Sequence, residues 1–100
     1  MATTDKEGTI EHRIVKYIEG LGGLCLKLIL ASLMGWPDRT CLLPGGIIFF
    51  VEIKRPQHAK TYYMQTVWQN RLQRLGFVCE FVTSVEDVAA ICHRLQGIDT

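Results

Sequence analysis

Apolar positions at the start of the chain recur at helical spacing: Ile10, Ile14, Tyr17, Ile18 and Leu21 fall on one face and predict an amphipathic helix. Thr4-Asp5-Lys6-Glu7 has the form of a capping box, Gly8 moves the expected start toward Thr9, and Gly22-Gly23 stops the helix. The period then changes. Residues 24–30 are apolar except for Lys27 and predict a strand, while Ser32, Gly35 and Pro37 make 31–37 a loop or short turn. Residues 39–43 predict a second strand, and Pro44-Gly45-Gly46 turns the chain into a third over 47–54. Met64, Val67, Trp68, Leu72 and Leu75 mark a helix over 61–75 closed by Gly76. A fourth strand follows over 77–83, and Ser84 caps a last helix carrying Val88, Ala89, Ile91, Cys92 and Leu95.

The order α-β-β-β-α-β-α predicts an α/β fold. Its first three strands can form a meander, and a crossover helix between the third and fourth makes that pair parallel, so the sheet is mixed. In the third strand Ile47, Phe49, Val51 and Ile53 share one face, and Ile48, Phe50, Glu52 and Lys54 share the other. The second face passes from apolar to charged as the strand ends, which places Glu52 and Lys54 at the rim of the sheet.

Composition narrows the picture. One hundred residues, 48% of them hydrophobic, suit a single domain spanning 1–100 with a real core and some surplus for an apolar dimer surface. There is no uninterrupted apolar stretch of about 18 residues and no secretory pattern at the N-terminus, so no membrane association and an intracellular, cytoplasmic location are expected. Cys25, Cys41, Cys79 and Cys92 stand singly and read as small buried hydrophobes, not as a zinc site or a disulfide framework. Net charge is only +1, but no acidic residue lies between Glu52 and Glu80, whereas Lys54, Arg55, Lys60, Arg71 and Arg74 do, with His58 among them. That stretch is either a solvated face or a stripe turned toward phosphates.

Asp38 follows Pro37 in a turn, and hairpin pairing of the second and third strands can bring it beside Glu52 and Lys54. Phosphodiester hydrolysis needs a metal to neutralise phosphate charge, an activated water and stabilisation of the leaving oxygen. Magnesium takes hard oxygen ligands. Asp38, Glu52 and the Ile53 carbonyl are such donors, and Lys54 is placed to orient a water and oppose developing charge. Glu11, on the flank of the first helix's apolar stripe, completes the set if that helix packs beside the sheet. Singly, each residue also has a plain reading: a turn aspartate, strand-end charges, a solvated helix glutamate.

Together these residues carry a resemblance. Glu11 in a first helix, Gly35-Trp36-Pro37-Asp38-Arg39, Phe50-Val51-Glu52-Ile53-Lys54, and Gln65 followed by Trp68 and Leu72-Gln73-Arg74-Leu75-Gly76 resemble the PD-(D/E)xK nuclease superfamily, and in particular its small stand-alone VRR-NUC domains. The likeness covers residues 9–92. It implies a restriction-endonuclease-like αβββαβ core with a mixed central sheet flanked by helices, plus a C-terminal helix. It also implies magnesium or manganese bound by Glu11, Asp38, Glu52 and the Ile53 carbonyl, Lys54 as catalytic lysine, and Gln65 supporting the site from the neighbouring helix. The small members resemble phage or bacterial homodimers that cut branched DNA, four-way junctions included.

Lys27 either contacts phosphate or balances the carboxylates, and Arg39, Arg55, His58 and Lys60 are candidate DNA contacts. No small-molecule cofactor is expected, because no Gly-rich phosphate loop or dinucleotide fingerprint is present. The expected activity is a metal-dependent endodeoxyribonuclease acting as a homodimer on branched or flapped duplex, in a bacterial or phage-infected cell. The alternatives are a nicking or restriction-like nuclease without junction preference and a non-catalytic DNA-binding subunit of the same fold.

Overall fold

The structure, a computed structural model, describes residues 6–31, 33–54 and 62–97. Arg55, His58 and Lys60 lie outside the described residues, as does the start of the expected capping box. The elements run α1 (Lys6–Gly20), β1 (Leu24–Leu26), β2 (Arg39–Leu43), β3 (Ile47–Ile53), α2 (Tyr62–Arg74), β4 (Val78–Val82) and α3 (Val85–Gln96), in the order predicted. The sheet order is β1-β2-β3-β4, with the first two pairings antiparallel and β3–β4 parallel.

Strand alternation assigns the two faces. Phe49, Val51 and Ile53 meet Ile14 and Ile18 of α1 and Val88 and Ile91 of α3 in the larger core. Phe50 and Cys79 meet Leu72 of α2 and Trp36 in a smaller one. The sheet therefore lies between α1 and α3 on one side and α2 on the other, because each face is apolar where a helix covers it. The helix ends follow their sequence signals. The N–H groups of Gly22 and Gly23 close α1 on the Glu19 and Ile18 carbonyls, and the Ser84 hydroxyl accepts from the Asp87 N–H at 3.2 Å to open α3.

Two boundaries differ from expectation. α1 begins at Lys6 and accommodates Gly8 within it, since packing of the Ile14 and Ile18 stripe outweighs the propensity of one glycine. β1 stops at Leu26 instead of running to residue 30, so Lys27 lies in the loop after the strand. The register that pairs Leu26 with Thr40 would next set Lys27 opposite Arg39, two cations facing each other, and β2 has no residue before Arg39 to extend the ladder.

All four cysteines are buried and free. Cys25 and Cys41 are cross-strand partners, and the Cys41 thiol donates to the Cys25 sulfur at 4.0 Å, which lowers the Cys25 pKa and raises that of Cys41. Burial, followed by the nearby Glu52 and Glu80 carboxylates, pushes the Cys79 thiol up to about 12, and burial pushes Cys92 to about 11. At about pH 8, below both values, thiolate is scarce and access is closed. Ellman's reagent should therefore label Cys79 and Cys92 only on unfolding; prompt labelling of the native protein would contradict their packing.

Candidate active site

The hairpin turn at Pro44-Gly45-Gly46 sets the register of β2 against β3, and that register builds the site. Arg39 pairs with Val51 and Thr40 with Phe50, so one step further places Asp38 opposite Glu52 on the α2 face. The Ile53 N–H donates to the Asp38 carboxylate (Oδ2) at 2.7 Å, tying the turn to the end of β3. Glu52 does not sit at a solvated rim: it is 0% exposed, on the face that α2 covers. Lys54, the next residue on that face, is exposed where the ladder ends, its N–H held by the Val82 carbonyl at 2.9 Å. A buried carboxylate beside an exposed lysine is costly as mere surface chemistry, because taking a charge out of water costs several kcal/mol (on the order of 5) unless something compensates it.

The segment before Asp38 fixes α2 over these groups. Gly35 packs so closely on α2 that a Cβ there would stand 2.7 Å from the Met64 backbone carbonyl carbon. Trp36 meets Phe50 at 5.6 Å and Trp68 at 5.3 Å, both edge-on, and its indole N–H donates to the Thr40 hydroxyl at 3.4 Å. Gln65, one position beyond Met64, has a buried side-chain carbonyl oxygen with no hydrogen-bond partner among the described residues. An amide oxygen held this way fits a group that accepts hard oxygen ligands or donates a proton. Further along α2, Gln69 and Gln73 both donate to the Cys79 carbonyl, at 3.0 and 2.8 Å, satisfying the open edge of β4. The sequence offered no sign of this pairing, because an edge carbonyl is visible only once strand order is known.

Glu11 and Arg39 lie on the opposite face, toward α1. The Arg39 Nε donates to the Glu11 carboxylate at 2.7 Å, and its Nη1 donates to the Cys25 carbonyl at 3.3 Å. Arg39 thus joins α1, β1 and β2, a different task from the DNA contact expected of it. Among the described residues no three His, Cys, Asp or Glu side chains converge as a metal group. Asp38, Glu52 and the Ile53 carbonyl are the hard oxygen donors that the hairpin brings together, and the Glu11 carboxylate is engaged by Arg39. Because that pair is largely buried, Arg39→Ala should cost about 1–3 kcal/mol in urea unfolding. Arg39→Lys should recover only part of this, since an ammonium lacks the planar fork that serves two acceptors; full recovery would mean that charge alone matters.

Lys27 is exposed and lines, with Leu33, Trp36 and Asp38, a depression of about 220 Å³ beside the turn. It shares this depression with Asp38 and reaches it from a loop.

No family model matches the chain. A phage protein described as "Putative nuclease p44", from Acyrthosiphon pisum secondary endosymbiont phage 1, is 38% identical over 58 residues, 58% of this chain. The match spans 62% of that relative's length. A solved structure described as a VRR_NUC domain is 32% identical, with a TM-score of 0.76, and the alignment covers 88% of this chain and 95% of that one. At that identity over nearly the whole of both chains, the chain belongs to the VRR-NUC domain family of nucleases.

Proposed function

We propose that this chain is an endonuclease that hydrolyses DNA phosphodiester bonds with magnesium or manganese as cofactor. The observation that carries the reading is Glu52: a fully buried carboxylate set opposite Asp38, with an exposed lysine at the strand end beside it. The Asp38 and Glu52 carboxylates and the Ile53 carbonyl would hold the cation, which neutralises phosphate charge and acidifies water. Lys54 orients the attacking water and opposes charge on the phosphate, and Gln65 supports the site from α2 through its buried amide. Glu11 would join this set through a carboxylate that the Arg39 guanidinium also holds. Lys27, Arg55, His58 and Lys60 are assigned to the DNA backbone.

The preferred substrate in this reading is branched or flapped DNA, including four-way junctions, cut by a homodimer in a bacterial or phage-infected cell. Support for a dimer comes from the sheet face that α2 leaves open. Leu24 pairs with Leu42 and Leu42 with Ile48, a cross-strand row in which Leu24 is 54% and Ile48 41% exposed. Such a row is costly in water, and a two-fold axis across it would present two sites to strands of opposite polarity. Among the described residues no helix is long and apolar enough to cross a membrane.

The test is a panel of linear, nicked, flapped and four-way DNA with magnesium, manganese or chelator, alongside sedimentation at micromolar concentration. Cutting that needs a divalent cation and favours branched forms is expected, from a species of twice the chain mass. Equal cutting of all duplexes would favour a nicking or restriction-like enzyme. Tight DNA binding without cutting under any condition would favour the non-catalytic subunit.

A further inference from the structure

The loop joining β1 to β2 departs from the usual composition of a surface connection. Leu28, Ile29, Leu30 and Met34 all lie at the surface, Ile29 87% and Met34 77% exposed, with Lys27 at the loop's root. Loops are ordinarily polar because their side chains face water, so several large apolar groups on one loop mark a surface that meets a partner. The same loop forms the wall of the depression that ends at Asp38, and Trp36 is part of that wall. At about 220 Å³ the space is smaller than a drug-sized ligand requires and suits a single ring system.

We propose that this depression receives one unpaired nucleobase next to the cleaved phosphodiester, and that Ile29 and Met34 form an apolar wedge that parts the duplex there. The inference rests on the nuclease reading given above. Its chemistry is that of single-strand recognition: apolar and aromatic surface for the base, and a cation for the adjoining phosphate. Here Lys27 supplies the cation, and Trp36 and Leu33 supply the surface. Inserted apolar side chains unstack a base step, and the cost is lowest where pairing is already interrupted. The wedge thereby gives the site a physical reason to favour branched DNA. A second copy of the chain is the competing occupant. Seated on this loop it would cover the mouth at Asp38 and close the site to DNA, whereas the Leu24–Ile48 row offers a copy an apolar surface away from that mouth.

The experiment compares the full-length wild type with Ile29→Ser and with Ile29→Ser/Met34→Ser. Each replaces exposed side chains, so stability should hardly move. Two readouts are taken: cleavage with manganese, and emission of a 2-aminopurine in the strand opposite the cut, measured in chelator. Substitution should slow cleavage of a fully paired branched substrate about tenfold and abolish the wild type's rise in emission. On the same DNA with a small bulge at the cut, which supplies the unpaired base in advance, the variants should fall within about twofold of wild type. Variants that cut paired DNA at the wild-type rate would overturn the wedge, as would a dimer that becomes monomeric in sedimentation when Ile29 and Met34 are changed. If the wild type raises emission yet cuts nothing, the nuclease reading fails and the wedge stands, so the two failures are distinct.

Discussion

Glu52→Gln is expected to lower DNA cleavage by at least about 100-fold while leaving the fold and DNA binding in place. Glutamine keeps the shape of the side chain in its covered position and removes the negative charge that a hard cation selects. Activity alone would not separate a ligand from a residue that merely shapes the site, so a second measurement is needed. Manganese at roughly 100 times its dissociation constant should stabilise the wild type by about 2.7 kcal/mol through linkage, which for a chain of this size is a rise in Tm on the order of 10 °C. Glu52→Gln should lose most of that rise with its metal-free circular dichroism unchanged. A variant that retains both cutting and the manganese-induced rise would show that the buried carboxylate serves another purpose.

The second large effect is expected at Gly35. Its φ is +90°, in the left-handed region, and an added Cβ would meet the Met64 carbonyl carbon and Cβ at 2.7 Å and the carbonyl oxygen at 2.8 Å. Backbone atoms cannot rotate out of the way, so Gly35→Ala must displace α2 from the turn that carries Asp38. The conformational part costs about 1–2 kcal/mol, and the clash should bring the total to about 3 kcal/mol or more in urea unfolding. Gly45 supplies the control. It has the same φ of +90°, with nothing within 4 Å of a built Cβ, so Gly45→Ala should pay only the conformational part. Cleavage should fall sharply for Gly35→Ala even at temperatures where the protein remains folded, because the displaced helix carries Gln65. Equal costs at the two glycines would show that the α2 contact gives way easily.

Local signals in the chain were enough for its elements. Helical spacing, the Gly22-Gly23 stop, the Ser84 cap and the Pro44-Gly45-Gly46 turn each depend on residues close in sequence, and the elements appear in the order those signals set, α1 starting earlier than Gly8 suggested. The end of β1 escaped, since it depends on where β2 begins. The placing of Asp38 beside the Glu52–Lys54 strand end was legible for a related reason. A two-residue period assigns Glu52 and Lys54 to one face, and a hairpin with a short turn has little freedom in register, so Asp38 arrives opposite Glu52.

What sequence could not decide is which charges are paid for by neighbours far along the chain. Glu11 was expected beside the carboxylates from its place on α1, and nothing in the sequence signalled that Arg39, 28 residues away, holds its carboxylate at 2.7 Å. Arg39 alternates to the α1 face with Val51, and only the packing of α1 against the sheet shows what it meets there. Glu52 looked like a strand-end charge at a rim, and is fully buried on the sheet face that carries α2. By itself, then, the sequence determined the elements, their order and the Asp38–Glu52–Lys54 grouping, since all three follow from local periods and a tight turn. The tertiary structure alone decided the burial of Glu52, the partner of Glu11 and the exposed apolar loop beside Asp38, since burial and pairing belong to surfaces that do not exist until helices and sheet pack together.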